Sequence, residues 1–335
     1  MTAPIETTPG QSQAQPEAIL SGAGRKTIEG RSLGQIAWMR FRRDKVAVAG
    51  GVVVILLILL AVLAKPIESV FGLDPNAFHQ DLIDPSTTVP KGGLGGMSWS
   101  HPLGVDPQYG RDLLARIIEG SWVSMLVATG ATILSNVIGT VLGVVAGYYG
   151  GWVDTMISRL MDTFLAFPLL LFAISISASL QDGAFGLNGL PLRISVLIFV
   201  IGFFNWPYMG RIVRGQTLSL REREFVEAAR SLGARGPYIL FRELLPNLVA
   251  PILVYSTLLI PTNILFEAAL SFLGVGISPP QASWGGMLNS AIDLFYADPE
   301  YMVVPGVAIF ITVLAFNLLG DGLRDLLDPK RIFLR

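Results

Sequence analysis

The amino-acid sequence predicts an all-α polytopic membrane protein with six transmembrane helices. Of its 335 residues, 52% are hydrophobic and only 15% are charged, and the mean hydropathy is +0.57. This composition is too apolar for an ordinary soluble domain. The chain has no cysteine, which excludes disulfide frameworks, thiolate metal sites and cysteine nucleophiles.

Six windows free of charged residues are predicted to be the spans, because crossing the ~30 Å hydrocarbon layer takes about 20 mostly apolar residues. They lie between Lys45 and Lys65, Glu119 and Asp154, Asp162 and Asp182, Arg193 and Arg211, Glu243 and Glu267, and Glu300 and Asp321. A further charge-free run, 268–292, contains Pro279, Pro280 and four glycines, which would break a lipid-facing helix. We expect it to lie at the outer surface or to be partly re-entrant.

The distribution of lysine and arginine predicts that both termini are cytoplasmic. With six spans and an inner N-terminus, 19 of the 24 basic residues fall on the inner side: seven up to Lys45, one at Arg159, seven from Arg211 to Arg242, and four after Asp321. The other five fall on the outer side. This asymmetry satisfies the positive-inside rule, whereas a seventh span would place the basic C-terminus outside.

The same spans divide the chain into five regions. Residues 1–30 are rich in Pro, Gln, Thr, Ser and Gly and lack the apolar core of a secretory signal, so we expect a disordered cytoplasmic tail. Residues 31–65 combine a basic amphipathic helix in the inner interface with the first span, although the basic part could be a simple positive flank. Residues 66–120 form a large extracytoplasmic loop or cap, 121–322 hold spans two to six, and 323–335 form a cytoplasmic tail.

A charged loop at 221–246 separates spans four and five. Its apolar residues recur at helical spacing: Phe225, Ala228, Ala229 and Leu232. This pattern predicts a short helix with a narrow apolar face and charged flanks, which ends at Gly233. Small alanine side chains let another surface approach the backbone closely, and Pro246 is expected to mark the turn into the fifth span. Packing of the loop against its own helices or lipid headgroups remains an alternative.

Four motifs extend the interpretation to most of the chain. They are HPLGVD at 101–106, GRDLLARIIEGSWVS at 110–124, EAARSLGA at 227–234 and EAALSFLGVGISPPQASWG at 267–285. With these motifs, and over nearly the whole chain from Gly30, the sequence resembles permease subunits of bacterial ABC importers. The resemblance is to the C-type permease of the dipeptide, oligopeptide and nickel subgroup. Two departures are Glu243, where an apolar residue or His is usual, and Val105, where Thr is usual.

This resemblance implies the type I permease fold of ABC importers and a transport role in the bacterial inner membrane. The expected partners are a second homologous permease, two cytoplasmic ABC ATPase subunits, an extracytoplasmic substrate-binding protein and membrane lipid, without nucleic acid. The two permeases would form a path for di- or oligopeptides that works by alternating access. No cofactor is expected in this chain, because ATP and Mg bind the ATPase subunits. Nickel or another small solute is the alternative cargo.

The resemblance also implies that the loop helix is the coupling helix, which docks in a groove of the ATPase subunit. Carried onto this sequence, the core of that contact is Glu227, Ala228, Ala229 and Gly233. Phe225, Arg230 and Leu232 complete the candidate coupling residues.

Other candidate residues lie in the spans. Gly139, Gly143 and Gly147 continue an i, i+4 ridge of small residues that permits close helix approach; packing and lining of the path both remain open. Pro207, with Pro168, Pro261 and Pro305, is expected to kink its span, where motion or a cavity is needed. The last candidate, Glu267, is expected to anchor the following Gly/Pro segment through backbone hydrogen bonds rather than to bind cargo.

Other classes of protein find less support. None of the five lysines follows a glycine, so we expect no phosphate-binding loop and no ATP hydrolysis by this chain. The GRSLG sequence around Ser32 matches a nucleophile elbow but lacks the required context. With two histidines and no HExxH pattern, we expect neither an enzyme nor a metal site. A secondary transporter or channel would be expected to show ionisable residues deep in several spans or an inverted repeat.

Overall fold

The computed structural model describes residues 41–179 and 186–327, together with Met39. Over these residues the fold is helical, and isolated β-bridges pair Ile83 with Pro90 and Val105 with Asp112. The helices are α1 (Lys45–Val62), α2 (Ala64–Phe71), α3 (Leu113–Tyr149), α4 (Gly151–Ala166), α5 (Leu169–Ser179), α6 (Gly189–Leu220), α7 (Glu224–Ser231), α8 (Gly236–Phe272), α9 (Trp284–Ala291) and α10 (Glu300–Leu327).

Five of these helices are long and apolar enough to cross a membrane: α1, α3, α6, α8 and α10. A sixth crossing is provided if α4 and α5 count as one span, and these two helices meet at an angle of 75°. The predicted all-α membrane fold is therefore confirmed. In that case the third span is a broken helix, with the break at Phe167 and Pro168.

Several helices extend beyond the predicted charge-free windows, because charged residues lie inside the helices. The second span begins at Leu113, where the Asp112 side chain accepts a hydrogen bond from the Ala115 amide at 2.9 Å. Arg116 and Glu119 are buried within its first turns, so a charge-free window starts too late. The fifth span begins at Gly236 and passes through a π-helical segment, Ile239–Leu244. Pro246 therefore lies inside α8 and does not mark its start.

The predicted terminal regions fall partly outside the described residues. The 1–30 tail lies outside them, as does most of the interfacial helix, of which Met39 and 41–43 are helical. At the other end, α10 continues to Leu327. The first residues of the predicted 323–335 tail therefore belong to this helix, and 328–335 lie outside the described range.

Close packing of α3 against α6 forms the centre of the fold. A Cβ atom added at Gly139 would lie 2.7 Å from the Trp206 carbonyl oxygen, and one at Gly143 would lie 2.6 Å from the Gly210 carbonyl oxygen. Gly147 faces α6 in the same way. Because real Cβ atoms do not approach backbone that closely, the glycine ridge sets the separation of the two helices. The ridge is thus a packing surface in this chain.

A polar network connects three of the spans inside the bundle. The Asn205 amide donates to the Asn263 side-chain oxygen at 2.9 Å, and Asn263 donates to the Thr132 hydroxyl at 2.8 Å. The three residues come from α6, α8 and α3, and all are buried. Such bonds compensate polar groups removed from water and fix the relative register of the helices.

The run 268–292 contains the end of α8, an irregular stretch and the eight-residue helix α9, so no helix of spanning length lies within it. Arg193 holds the irregular stretch by donating to the Gly276 carbonyl at 2.9 Å and the Ser278 hydroxyl at 2.7 Å. Arg116 donates to the carbonyls of Pro280 and Pro75. These bonds join the segment to the loop between α2 and α3 and to the first turns of α3.

Candidate functional site

The loop helix α7 lies at the end of the bundle where α3 finishes and α6 passes into α8. α6 ends at Leu220, and the Arg221 guanidinium then donates to the Gly147 carbonyl at the end of α3, at 3.0 Å. Gly233 has a φ of +83°, in the left-handed region that glycine enters without strain. This turn reverses the chain from α7 into α8.

Val226 anchors α7 to the bundle. Its side chain is fully buried and belongs to a cluster of apolar residues from α3, α6 and the start of α8. That cluster consists of Val144, Met209, Val213, Val226, Ile239, Leu240, Leu244 and Leu248. Burying a valine side chain is worth about 1.5–3 kcal/mol, enough to hold a short helix that is marginal alone. The sequence pattern did not single out this residue, because the apolar spacing fitted the opposite face equally well.

The apolar residues predicted from spacing line an open groove of about 640 Å³ beside α7, and one of them, Ala229, also packs against the Val226 cluster. Leu232 is 89% exposed and Phe225 is 36% exposed. The groove is formed between α7 and the first turns of α8, and its lining is Phe225, Ala228, Ala229, Leu232, Gly233, Ala234, Arg235, Tyr238 and Glu243. Five of the seven candidate coupling residues therefore share one surface, which we call the coupling groove.

The other two candidates, Glu227 and Arg230, are exposed charged residues on α7. Arg230 lies over the Tyr148 ring at 5.7 Å from its centroid. Within the described residues Glu227 forms no ion pair. Exposed charges of this kind contribute little to stability, and they remain accessible to another protein.

Ion pairs link the helices that carry α7. Arg214 of α6 binds both carboxylate oxygens of Asp154 in α4, and one of these bonds, from Nη2 to Oδ2, measures 2.6 Å. One turn along α6, Arg211 pairs with Asp162 at 2.5 Å. A bidentate arginine–carboxylate pair adds geometric specificity to the attraction. Movement of α6 would therefore be transmitted to α4.

The remaining candidates lie away from the coupling groove. Glu267 is fully buried in α8, where it accepts a hydrogen bond from the Ser271 hydroxyl at 2.7 Å. The Ser271 hydroxyl in turn accepts from the Ile277 amide at 3.1 Å. Glu267 thus reaches the Gly/Pro segment through Ser271 rather than by direct backbone bonds. Pro207 is buried inside an uninterrupted α6. No group of three or more potential metal ligands occurs in the part of the chain that the structure describes.

Comparison with known proteins gives two matching family models. One is described as "Binding-protein-dependent transport system inner membrane component" and matches residues 139–333. The other is described as "N-terminal TM domain of oligopeptide transport permease C" and matches residues 32–83. The first covers more than half of the chain, including α6, the coupling groove and α8.

Individual relatives match over most of their length. The "Glutathione transport system permease protein GsiD" of Escherichia coli O6:K15:H31 (strain 536 / UPEC) is 43% identical over 293 residues, covering 88% of this chain and 89% of the relative. The same protein from Shigella boydii serotype 4 (strain Sb227) gives the same values. A solved structure of the MetNI methionine ABC transporter in an inward-facing conformation covers 64% of this chain and 98% of its own, with a TM-score of 0.51 and 19% identity. At that identity the likeness concerns the fold.

Proposed function

We infer the function from one premise: the chain belongs to the family of binding-protein-dependent transport system inner membrane components. It is a multi-pass inner-membrane permease subunit of an ABC importer, a transport subunit and not itself an enzyme. Such importers work with a partner permease, ATPase subunits and a binding protein. We propose that this chain couples to its ATPase subunits through the coupling groove and carries short peptides.

The single observation that carries this proposal is the geometry of α7. One side of the helix is fixed to the bundle by Val226, while the other presents Leu232, Phe225 and small alanines to solvent. An isolated apolar surface rimmed by charges is typical of an interaction site. The proposed contact places Glu227, Ala228, Ala229 and Gly233 against the ATPase subunit.

In the proposed mechanism, closure of the ATPase pair pushes α7, and the helices of the bundle move together as linked rigid bodies. Val226 and Arg221 transmit the displacement to α8, α6 and α3. The Arg214–Asp154 pair carries it on to α4. The spans then rock between inward-open and outward-open arrangements, which is alternating access by rigid-body motion. Both termini and α7 lie in the cytoplasm in this proposal.

Short peptides are the proposed cargo. The names of the relatives refer to glutathione, itself a tripeptide, and the description of one matching family model refers to oligopeptides. Nickel or another small solute is the alternative. Uptake of labelled glutathione, a labelled dipeptide and labelled Ni²⁺ is measured in vesicles that contain the complete importer. We expect glutathione and the dipeptide to compete with each other for uptake, and Ni²⁺ to compete with neither.

The docking proposal is tested with Leu232→Asp in the assembled importer. The variant places a carboxylate on the most exposed apolar residue of the groove. Both the amount of ATPase subunits retained on the tagged chain and the rate of ATP hydrolysis by the purified complex should fall by at least tenfold. The matched control is Trp99→Asp, because Trp99 is equally exposed but lies on the outer loop. Retention of the ATPase subunits by both variants to the same extent contradicts the proposal.

A secondary transporter is distinguished by its energy source. Vesicles depleted of ATP but holding a proton gradient should lose uptake if the proposal is correct. Uptake that survives ATP depletion and collapses with the gradient would instead establish the secondary transporter.

A further inference from the structure

The break between α4 and α5 is a feature that the coupling proposal does not use. It consists of Phe167 and Pro168 and lies five residues after Asp162, or about 7.5 Å of helix rise. Asp162 pairs with Arg211 at the inner end of the fourth predicted span. The break therefore lies within the third predicted span, just past its inner boundary.

The break leaves backbone carbonyls without helical partners. The last four carbonyls of any helix have no N–H donor within it, and Pro168 has no N–H to offer. Among the described residues, the backbone bond at the end of α4 is the one from the Phe167 amide to the Phe164 carbonyl, at 3.3 Å. Non-helical backbone at membrane depth is tolerated only where protein buries it or where it lines a water-filled cavity.

The chain itself does not bury the outward side of this break. Phe167 is 49% exposed, and Ala166 beside it is also exposed. The charged pair Asp162–Arg211, one to two turns away, is half exposed as well. Asp162 and Arg211 mark the inner boundary of two predicted spans, where exposed charged side chains reach water rather than lipid tails. The exposed backbone and the exposed charges thus share one side of the molecule.

Aromatic residues support the break from its inner side. The Phe172 and Phe204 rings lie 4.7 Å apart, and Phe167 packs on Phe204 at 5.7 Å. Phe164 packs edge-on against Phe203 at 5.1 Å. Each such pair is worth about 0.5–1.5 kcal/mol beyond its buried area. The bend is therefore held by side-chain contacts between α4, α5 and α6.

We propose that the break at Phe167 and Pro168 forms part of the wall of the translocation path, where the Ala166 and Phe167 carbonyls and the Phe167 ring contact the passing solute. This rests on the proposed function. The solute class that suits this surface carries N–H donors for the carbonyls and apolar groups for the ring, as a short peptide does.

The test uses the absence of cysteine in the chain, which allows single thiols to be introduced without background. Phe167→Cys and the conservative Ala166→Cys are assembled into the importer in inside-out vesicles. Each is treated with a membrane-impermeant quaternary-ammonium methanethiosulfonate, and labelling of this subunit is followed by intact mass. The matched control is Val52→Cys, an exposed residue about 10 Å into α1. Met156→Cys on the exposed face of α4 reports full reactivity.

At least one of the two break variants should react tenfold or more faster than Val52→Cys, because thiolates form in water and not in lipid. If both react as slowly as Val52→Cys, the break is covered by lipid or by the partner permease and the inference is wrong. ATP-dependent uptake by each unlabelled variant is measured in parallel in right-side-out vesicles that hold ATP. Lost uptake in the unaltered importer would contradict the proposed function, whereas rapid labelling in the inside-out vesicles would leave the water-filled surface standing.

Discussion

The predicted cap, which contains the loop between α2 and α3, and the coupling groove use charged residues in opposite ways. In the cap, Asp106 is fully buried and accepts hydrogen bonds from the Arg111 amide at 2.7 Å and its Nε at 2.6 Å. On α7, Glu227 and Arg230 are exposed. Buried pairs are costly to break and exposed pairs are nearly neutral. The difference indicates that the cap charges hold the protein's own fold, while the groove charges are available to a partner.

The largest expected effect comes from breaking the cap pair. Arg111→Ala leaves a buried carboxylate without its cation, which costs about 3–5 kcal/mol. The purified complex should unfold at a markedly lower temperature, and a double variant, Asp106→Asn with Arg111→Gln, should recover part of the loss. A change in unfolding temperature no larger than that of Glu227→Ala would erase the contrast between the two regions.

A second prediction concerns the close packing of α3 against α6. Gly143→Ala places a methyl group 2.6 Å from the Gly210 carbonyl oxygen, and overpacking of this kind costs about 1–3 kcal/mol. Gly215→Ala on α6 is the matched control, because nothing lies within 4 Å of its added Cβ. The unfolding temperature should fall for Gly143→Ala and stay unchanged for Gly215→Ala. Equal behaviour would mean that α3 and α6 are not packed as described.

A third prediction separates the two sides of α7. Val226→Ala removes two buried methyl groups and should destabilise the loop by about 1–2 kcal/mol. Hydrogen exchange of the α7 amides should speed up accordingly. Leu232→Ala, on the exposed side, should leave exchange unchanged while still weakening retention of the ATPase subunits. Faster exchange in both variants would show that the groove face also supports the fold.

The smallest expected effect is a pH dependence in the outer region. Burial, together with the neighbouring Glu300 carboxylate, raises the pKa of Asp298 to about 6. A carboxyl group whose pKa is raised by folding favours the native state in its neutral form. Its contribution is therefore present below the unfolded pKa of about 4 and is lost as pH rises through 6.

Asp298→Asn should remove this dependence. Unfolding temperatures of the two proteins should converge below pH 4 and diverge by pH 8, where the variant is more stable by an amount on the order of 1 kcal/mol. Parallel curves across this range would show that Asp298 does not titrate there.

How far the site could be predicted from sequence differs between its residues. The spacing of Phe225, Ala228, Ala229 and Leu232 predicted one surface of a helix, and these residues do line one groove. Val226 was missed, since periodicity does not say which face of a short helix meets the core. The fifth span begins ten residues before Pro246, because a proline in the first turns of a helix, or beside a π-helical segment, does not end it.

The sequence by itself determined the membrane class, the order of the spans and the position of the charged loop, because hydrophobic thickness and charge placement act locally along the chain. Only the tertiary structure decided that Arg116 and Glu119 lie inside a helix, that the third span is broken at Phe167, and which side of α7 is free. These outcomes depend on partners distant in sequence, such as Pro280 for Arg116 and Phe204 for Phe167. Pairing and burial between distant residues are set by packing, which periodicity does not encode.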